Sequence, residues 1–243
     1  MKRSPLALLL LLLACTAHAQ YDAGATVGMG QGMLLNNSVL GSNVMGDVIL
    51  KQGRASDQAS RNVAGHASAA NLAALQFQPS ADVSKAVLDH IARQFGGRQP
   101  DTYRQALVRD GMLARFDTLS QQYGYDSHNV ADAFTAYLVL SWEVVNNGSA
   151  MRNRPGIDAV RHNLQQALAR NPRFVAMPDA QKQEMAETFG YLAMIAAATR
   201  SEFQRKGDQM SLARLQDGVN STAQKMGVNL RTIKLTTQGF VAL

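Results

Sequence analysis

The sequence predicts an all-α protein: a single bundle of about six helices, preceded by a flexible N-terminal arm and closed by a short extended C-terminal tail. Three observations predict it. From about Pro79 onward apolar residues recur at three-to-four spacing. The segments marked in this way end at glycine, asparagine or proline. The stretch before them is rich in Gly, Asn, Ser and Ala and has no sustained period.

The chain opens with "MKRSPLALLLLLLACTAHAQ". Basic Lys2 and Arg3, an apolar run from Leu6 to Ala14, and small Ala17 and Ala19 make the three-part layout of a secretory signal peptide over residues 1–19. Cleavage after Ala19 is expected, leaving Gln20 first. The run is about half of the roughly 20 residues needed to cross a bilayer, so it reads as a signal and not as an anchor. No later stretch is long enough to be a transmembrane helix. Leu12-Leu13-Ala14-Cys15 offers an alternative, lipidation at Cys15, although Ala-His-Ala before Gln20 suits the ordinary peptidase better. Both routes imply a periplasmic or secreted protein of a bacterial envelope. Cys15 is the only cysteine, so ordinary cleavage leaves no thiol and excludes disulfides, zinc–thiolate sites and cysteine nucleophiles.

Residues 20–77 form the expected arm. Such a composition buries too little apolar surface to offset its ordering entropy, so short extended pieces are expected at most, for instance around Asp47 to Leu50. The glycines of "VGMGQGM" lack the Gly-Lys-Ser/Thr ending of a phosphate loop and read as linker. The formal charge of +6 falls by two when Lys2 and Arg3 leave, and what remains is dispersed: Arg104, Arg109 and Arg115 alternate with Asp101, Asp110 and Asp117. That is a solvated surface with no stripe for a nucleic-acid partner, leaving only weak attraction to anionic envelope surfaces.

The helical domain is expected over residues 78–243. Its first helix has Ser80 as cap, buries Val83, Val87, Leu88, Ile91 and Phe95, and stops at Gly96-Gly97. A second runs from about Pro100 through Leu119, and "YGYDS" breaks it. A third occupies "DSHNVADAFTAYLVLSWEVVNNG", with Asp126 or Ser127 as cap. A fourth follows in "PGIDAVRHNLQQALARNP". The fifth and longest, from about Pro178 to Lys206, carries Ala186, Gly190, Ala193 and Ala197 as a small-residue seam for close helix approach. A sixth spans about Met210 to Met226 and ends at Gly227, a left-handed cap. Beyond it Leu230, Ile233 and Leu235 alternate with Arg231, Lys234 and Thr236, as a short strand or extended tail would.

The third helix carries the candidate site. At 100° per residue Asp132 and Glu143 lie about 20° apart, and His128, Thr135 and Asn146 fall within about 60° of Asp132. The first reading makes this polar stripe a solvent-facing edge. In the second, Asp132 or Glu143 is buried and tied to an arginine or backbone group of a neighbour. The third joins His128 and Asp132 in a metal or acid–base site, but that pair supplies two ligands and Glu143 stands about 16 Å further along the axis. No metal and no cofactor is therefore expected. His66, His90 and His162 are scattered, Glu184 and Glu187 lack the histidine spacing of di-iron bundles, and neither a Gly-x-Ser-x-Gly elbow nor a His-Glu-x-x-His motif occurs.

"NVADAFTAYLVLSWEVVNNG", "MPDAQKQEMAETFGYLAMI" and the closing "MGVNLRTIKLTTQGF" resemble a family of bacterial exported proteins labelled only as a domain of unknown function. The resemblance covers about Phe77 to Phe240. It implies one helical domain behind a variable arm, and it brings no activity, ligand or catalytic residue. The expected function is a non-enzymatic binding or adaptor protein of the cell envelope, its partner an envelope protein or surface. The alternatives are an envelope hydrolase using Asp132 or Glu143 as general acid or base, with His128 beside them, and a carrier of an apolar small molecule.

Overall fold

The structure, a computed structural model, describes residues 67–243. The expected signal peptide, its cleavage at Ala19, Cys15 and the arm up to residue 66 lie outside the described residues. Within them the protein is all-α. Helices α1 (Ala69–Ala73), α2 (Ala81–Phe95), α3 (Pro100–Arg109), α4 (Met112–Gln122), α5 (Val130–Asn146), α6 (Arg154–Arg170), α7 (Pro172–Val175), α8 (Asp179–Lys206) and α9 (Gln209–Lys225) are followed by a 3-10 turn at Leu230–Thr232. Strands β1 (Ile233–Thr236) and β2 (Gly239–Ala242) then close the chain. No described helix is long and apolar enough to cross a membrane.

Central helix α5 packs mainly against α8. Phe134 stacks on Phe189 with ring centroids 4.4 Å apart, and Tyr137 lies 5.1 Å from the same ring. Gly190, from the small-residue seam, lets α4 approach: a Cβ there would stand 2.9 Å from Phe116 Cδ1 and 3.1 Å from Leu113 Cδ1. A second, smaller apolar cluster joins α2 and α3 to α8 through Val87, Leu88, Ile91, Leu107 and Tyr191. Gln183, fully buried, ties α2 to α8: its Oε1 accepts from Ser80 N–H at 2.7 Å and its Nε2 donates to Ser80 C=O at 2.8 Å.

Three element boundaries differ from expectation. The second helix is two, α3 and α4, because Gly111 adopts φ 58° between them and turns the chain. Helix α5 begins at Val130 and not at Asp126. Its cap is Asn129, whose Oδ1 accepts from Ala131 N–H and Asp132 N–H, in place of the expected Asp126 or Ser127. The C-terminal tail is a complete hairpin, with Ile233 opposite Ala242 and Thr236 opposite Gly239. It lies so close to α6 that a Cβ on Gly156 would come within 2.2 Å of Thr236 C=O. Gly227 does cap α9, with φ 87°, and Val228 N–H reaches back to Ala223 C=O at 3.0 Å.

Residues 67–77, expected as part of the arm, lie against the helical body. Residues 67–78 are a strap laid on the body. Leu75 is fully buried and Phe77 nearly so, both within the main core. Ala67 N–H donates to Gln166 Oε1 at 2.8 Å, and Asn71 Nδ2 to Ala169 C=O at 3.0 Å, mooring the strap on α6. Gln76 forms an antiparallel bridge with Asn129, where Phe77 N–H donates to His128 C=O and Val130 N–H to Leu75 C=O, each at 3.0 Å. Low average hydrophobicity concealed two anchor residues at alternate positions, which is all that one bridging segment needs.

Candidate functional site

The stripe on α5 is not a solvent edge. Asp132 is 1 % exposed and Thr135 fully buried. Asp132 receives Arg161 from α6 in a two-pronged contact, Nε to Oδ1 at 2.7 Å and Nη2 to Oδ2 at 2.5 Å. Gln165 Nε2 adds a bond to Oδ1 at 3.0 Å, and Asp126 N–H one to Oδ2 at 2.9 Å. The guanidinium also lies 4.7 Å from the centre of the Tyr125 ring. Asp132 holds the Arg161 guanidinium in its charged form even more firmly than usual. Every lone pair of this carboxylate is engaged in fastening α6 and the loop before α5 to the helix.

Glu143 stands at the other end. Its Oε1 accepts from Ala150 N–H at 2.5 Å, pinning the turn after α5. Burial pushes its pKa above the ordinary glutamate value, against the opposing pull of that N–H and of Arg200 on α8. Arg200 itself donates Nη2 to Asn147 Oδ1 at 3.0 Å and to Gly148 C=O at 3.3 Å. Asn147 takes φ 50°, the left-handed conformation that asparagine tolerates best after glycine, and Gln204 Nε2 holds the same Oδ1 at 2.7 Å. Glu143 and Arg200 thus close the α5–α6 turn onto α8.

His128 does not join Asp132. It is exposed, its ring edge-on to Phe77 at 5.7 Å, and its electrostatic neighbour is Asp117 on α4. Burial raises the Asp117 pKa, opposed by His128 and by a hydrogen bond from Ser127. Among the described residues no group of three or more His, Cys, Asp or Glu is placed to hold a metal. Asn146 leaves the stripe to anchor the C-terminal turn, donating to Leu230 C=O at 3.0 Å.

The residues that sequence reasoning missed are the partners. Arg161, Gln165 and Arg200 lie on other helices, 29, 33 and 57 residues from the carboxylates they meet, and no local spacing announces such pairs. A small pocket, partly open to solvent, is lined by Phe95, Tyr137, Ser141, Leu192, Ile195, Ala196, Val219 and Thr222. Its volume of about 20 Å³ has room for roughly one water. The Tyr137 phenol, fully buried, faces the Ser141 hydroxyl there.

Fold and site together define an all-α bundle whose buried polar side chains fasten its helices and its N-terminal strap to one another. The chain belongs to a family of unknown function, DUF6683, whose model matches residues 2–243. That span includes the N-terminal stretch that the mid-chain and C-terminal motifs left aside. No curated protein and no solved structure matches the chain.

Proposed function

We propose that this protein is an exported, non-enzymatic adaptor of the bacterial cell envelope, in which the helical body gives a fixed root to the N-terminal segment that engages an envelope protein or surface. The observation that carries this reading is the strap. Three separate helices hold residues 67–78, through Gln166 and Ala169 on α6, Val130 on α5, and Asp179 and Lys182 on α8. A segment whose only task was to link a signal peptide to a bundle would need no such mooring.

The carboxylates favour the same reading over a hydrolase. A general acid or base needs a free lone pair or proton facing substrate, whereas Asp132 is saturated by Arg161, Gln165 and Asp126 N–H. Burial raises the Glu143 pKa, and its Oε1 is engaged with Ala150 N–H, which pins the turn after α5. Among the described residues, the pocket beside Tyr137 has room for about one water, far less than an apolar carrier site holds.

The test is photo-crosslinking in living bacteria, with the reactive side chain placed singly at positions in residues 20–66 and, for comparison, on the exposed faces of α3 and α9. One discrete envelope adduct from several positions in 20–66 supports the adaptor. Adducts from the helices alone, or none, overturn it.

A further inference from the structure

Two backbone bonds of the strap meet at one place, the N-terminal end of α5. Residues 75–77 pair with residues 128–130 as a short antiparallel ladder. Asn129, the residue opposite Gln76, is also the cap that accepts from Ala131 and Asp132 N–H. One turn further, Asp132 holds Asp126 N–H and Arg161. The strap is thus the outer layer of a stack: ladder, cap, then buried ion pair.

Most of the strap is half-buried or exposed. Helix α1 has five residues and fully buries none of them; the strap reaches the core through buried Leu75 and Phe77, with half-buried Ala67 and Leu72 packed beside them. The bond from Gln78 N–H to Asp179 Oδ2, at 2.9 Å, is exposed at the surface, and the bonds to Gln166, Ala169 and Lys182 are half-buried. The Phe134–Phe189 stack between α5 and α8 involves no strap residue. A terminal segment with two fully buried side chains and half-buried or exposed hydrogen bonds opens before the body does.

We infer that residues 67–78 and the N-terminal end of α5 form one opening unit, a latch that swings free of the bundle below the global unfolding transition. Removing the ladder strips Val130 N–H of its acceptor and leaves Asn129 without its opposite strand, so the cap loosens with the strap. Traction on the upstream segment, or a partner bound to it, would then reach the Asp132–Arg161 pair. The latch rests on geometry alone, and the adaptor reading enters only in what pulls it. A latch without a partner and a partner without a latch are distinguishable results.

Native-state hydrogen exchange on the chain beginning at Gln20 tests it. The amides of Phe77, Asp126, Val130 and Ala131 are expected to exchange with one shared denaturant dependence, at least tenfold faster than Phe189 and Ala193 in α8. If the four exchange together with Phe189, or if Phe77 exchanges well ahead of Asp126 and Ala131, the latch does not exist. A second variant fixes the strap in place. Gln76 and Asn129 are a non-hydrogen-bonded antiparallel pair, with Cα atoms about 4.5 Å apart, a separation that a disulfide spans. In the chain from Gln20, Q76C/N129C introduces the only thiols. Oxidation is expected to slow Asp126 exchange at least tenfold relative to the reduced form. No change on oxidation, or a disulfide-linked dimer showing that the strap docks on a second copy, overturns the proposal.

Discussion

Arg161 grips Asp132 with two nitrogens, and the aspartate is the more deeply buried partner: its side chain is 1 % exposed against 29 % for the arginine. A carboxylate so placed cannot lose its partner cheaply. Asp132→Ala is expected to cost about 3–5 kcal/mol in chemical denaturation, since it leaves Arg161 unpaired and Asp126 N–H without an acceptor. Asp132→Leu combined with Arg161→Met should recover much of that loss, because both desolvated charges go together. Equal loss in single and double variants would mean that the pair does something other than fasten α6 to α5.

Glu143 gives the pH dependence its sign. Its folded pKa is raised by burial, so between the unfolded value and the folded one the native state binds more protons than the unfolded state. Its contribution to stability is therefore greatest in acid and declines as pH rises through the folded pKa. Relative to the parent, Glu143→Gln should gain in melting temperature as pH rises from about 4 to 7. Asp89 and Glu202, each held at about 2 by neighbouring cations, act oppositely and lose their contribution only at the acid end of the scale. A Glu143→Gln difference that does not vary with pH contradicts the burial argument.

Two glycines separate backbone from side-chain crowding. An added Cβ at Gly190 would press on the Phe116 and Leu113 side chains, which can shift, so Gly190→Ala should cost about 1–3 kcal/mol as ordinary overpacking. At Gly156 it would meet Thr236 C=O at 2.2 Å, a backbone atom with nowhere to go. Gly156→Ala should push the hairpin off α6. Trp142, the single tryptophan, reports this directly, since its Nε1 donates to Ile233 C=O at 3.1 Å and its ring lies 6.1 Å from Phe240. Its emission should shift to the red in Gly156→Ala and stay unchanged in Gly190→Ala.

The strap sets where the chain can be cut. A protein beginning at Ala67 keeps Leu75 and Phe77 in the core and should melt like the parent. One beginning at Pro79 loses both, at roughly 1.5–3 kcal/mol for each buried side chain. Denaturation midpoints of the two truncations check this, and equal stability would place the strap outside the folding unit.

Helical periodicity made most of the fold legible. The bounds of α6, α8 and α9 follow from apolar spacing with Asn, Pro and Gly punctuation, and Gly227 takes the expected left-handed cap. The break at Gly111 was harder to see because Met112, Leu113 and Phe116 continue the apolar pattern across it. Leu75 and Phe77 escaped notice because two anchors at alternate positions do not raise the average of a polar stretch. The stripe on α5 was legible as a stripe, yet its burial was not. Whether a carboxylate faces water or an arginine depends on which helix lies across from it, and Arg161 is brought there by the tertiary packing of α6 on α5.

The central claim, that a fixed body presents the N-terminal segment to the envelope, is tested most directly by deleting residues 20–66 behind an intact signal and starting the folded part at Ala67. The account predicts an unchanged melting temperature together with loss of the envelope adduct trapped by a chemical crosslinker in the parent. An adduct that persists at parental yield on an equally stable protein would contradict it and return the binding surface to the helices.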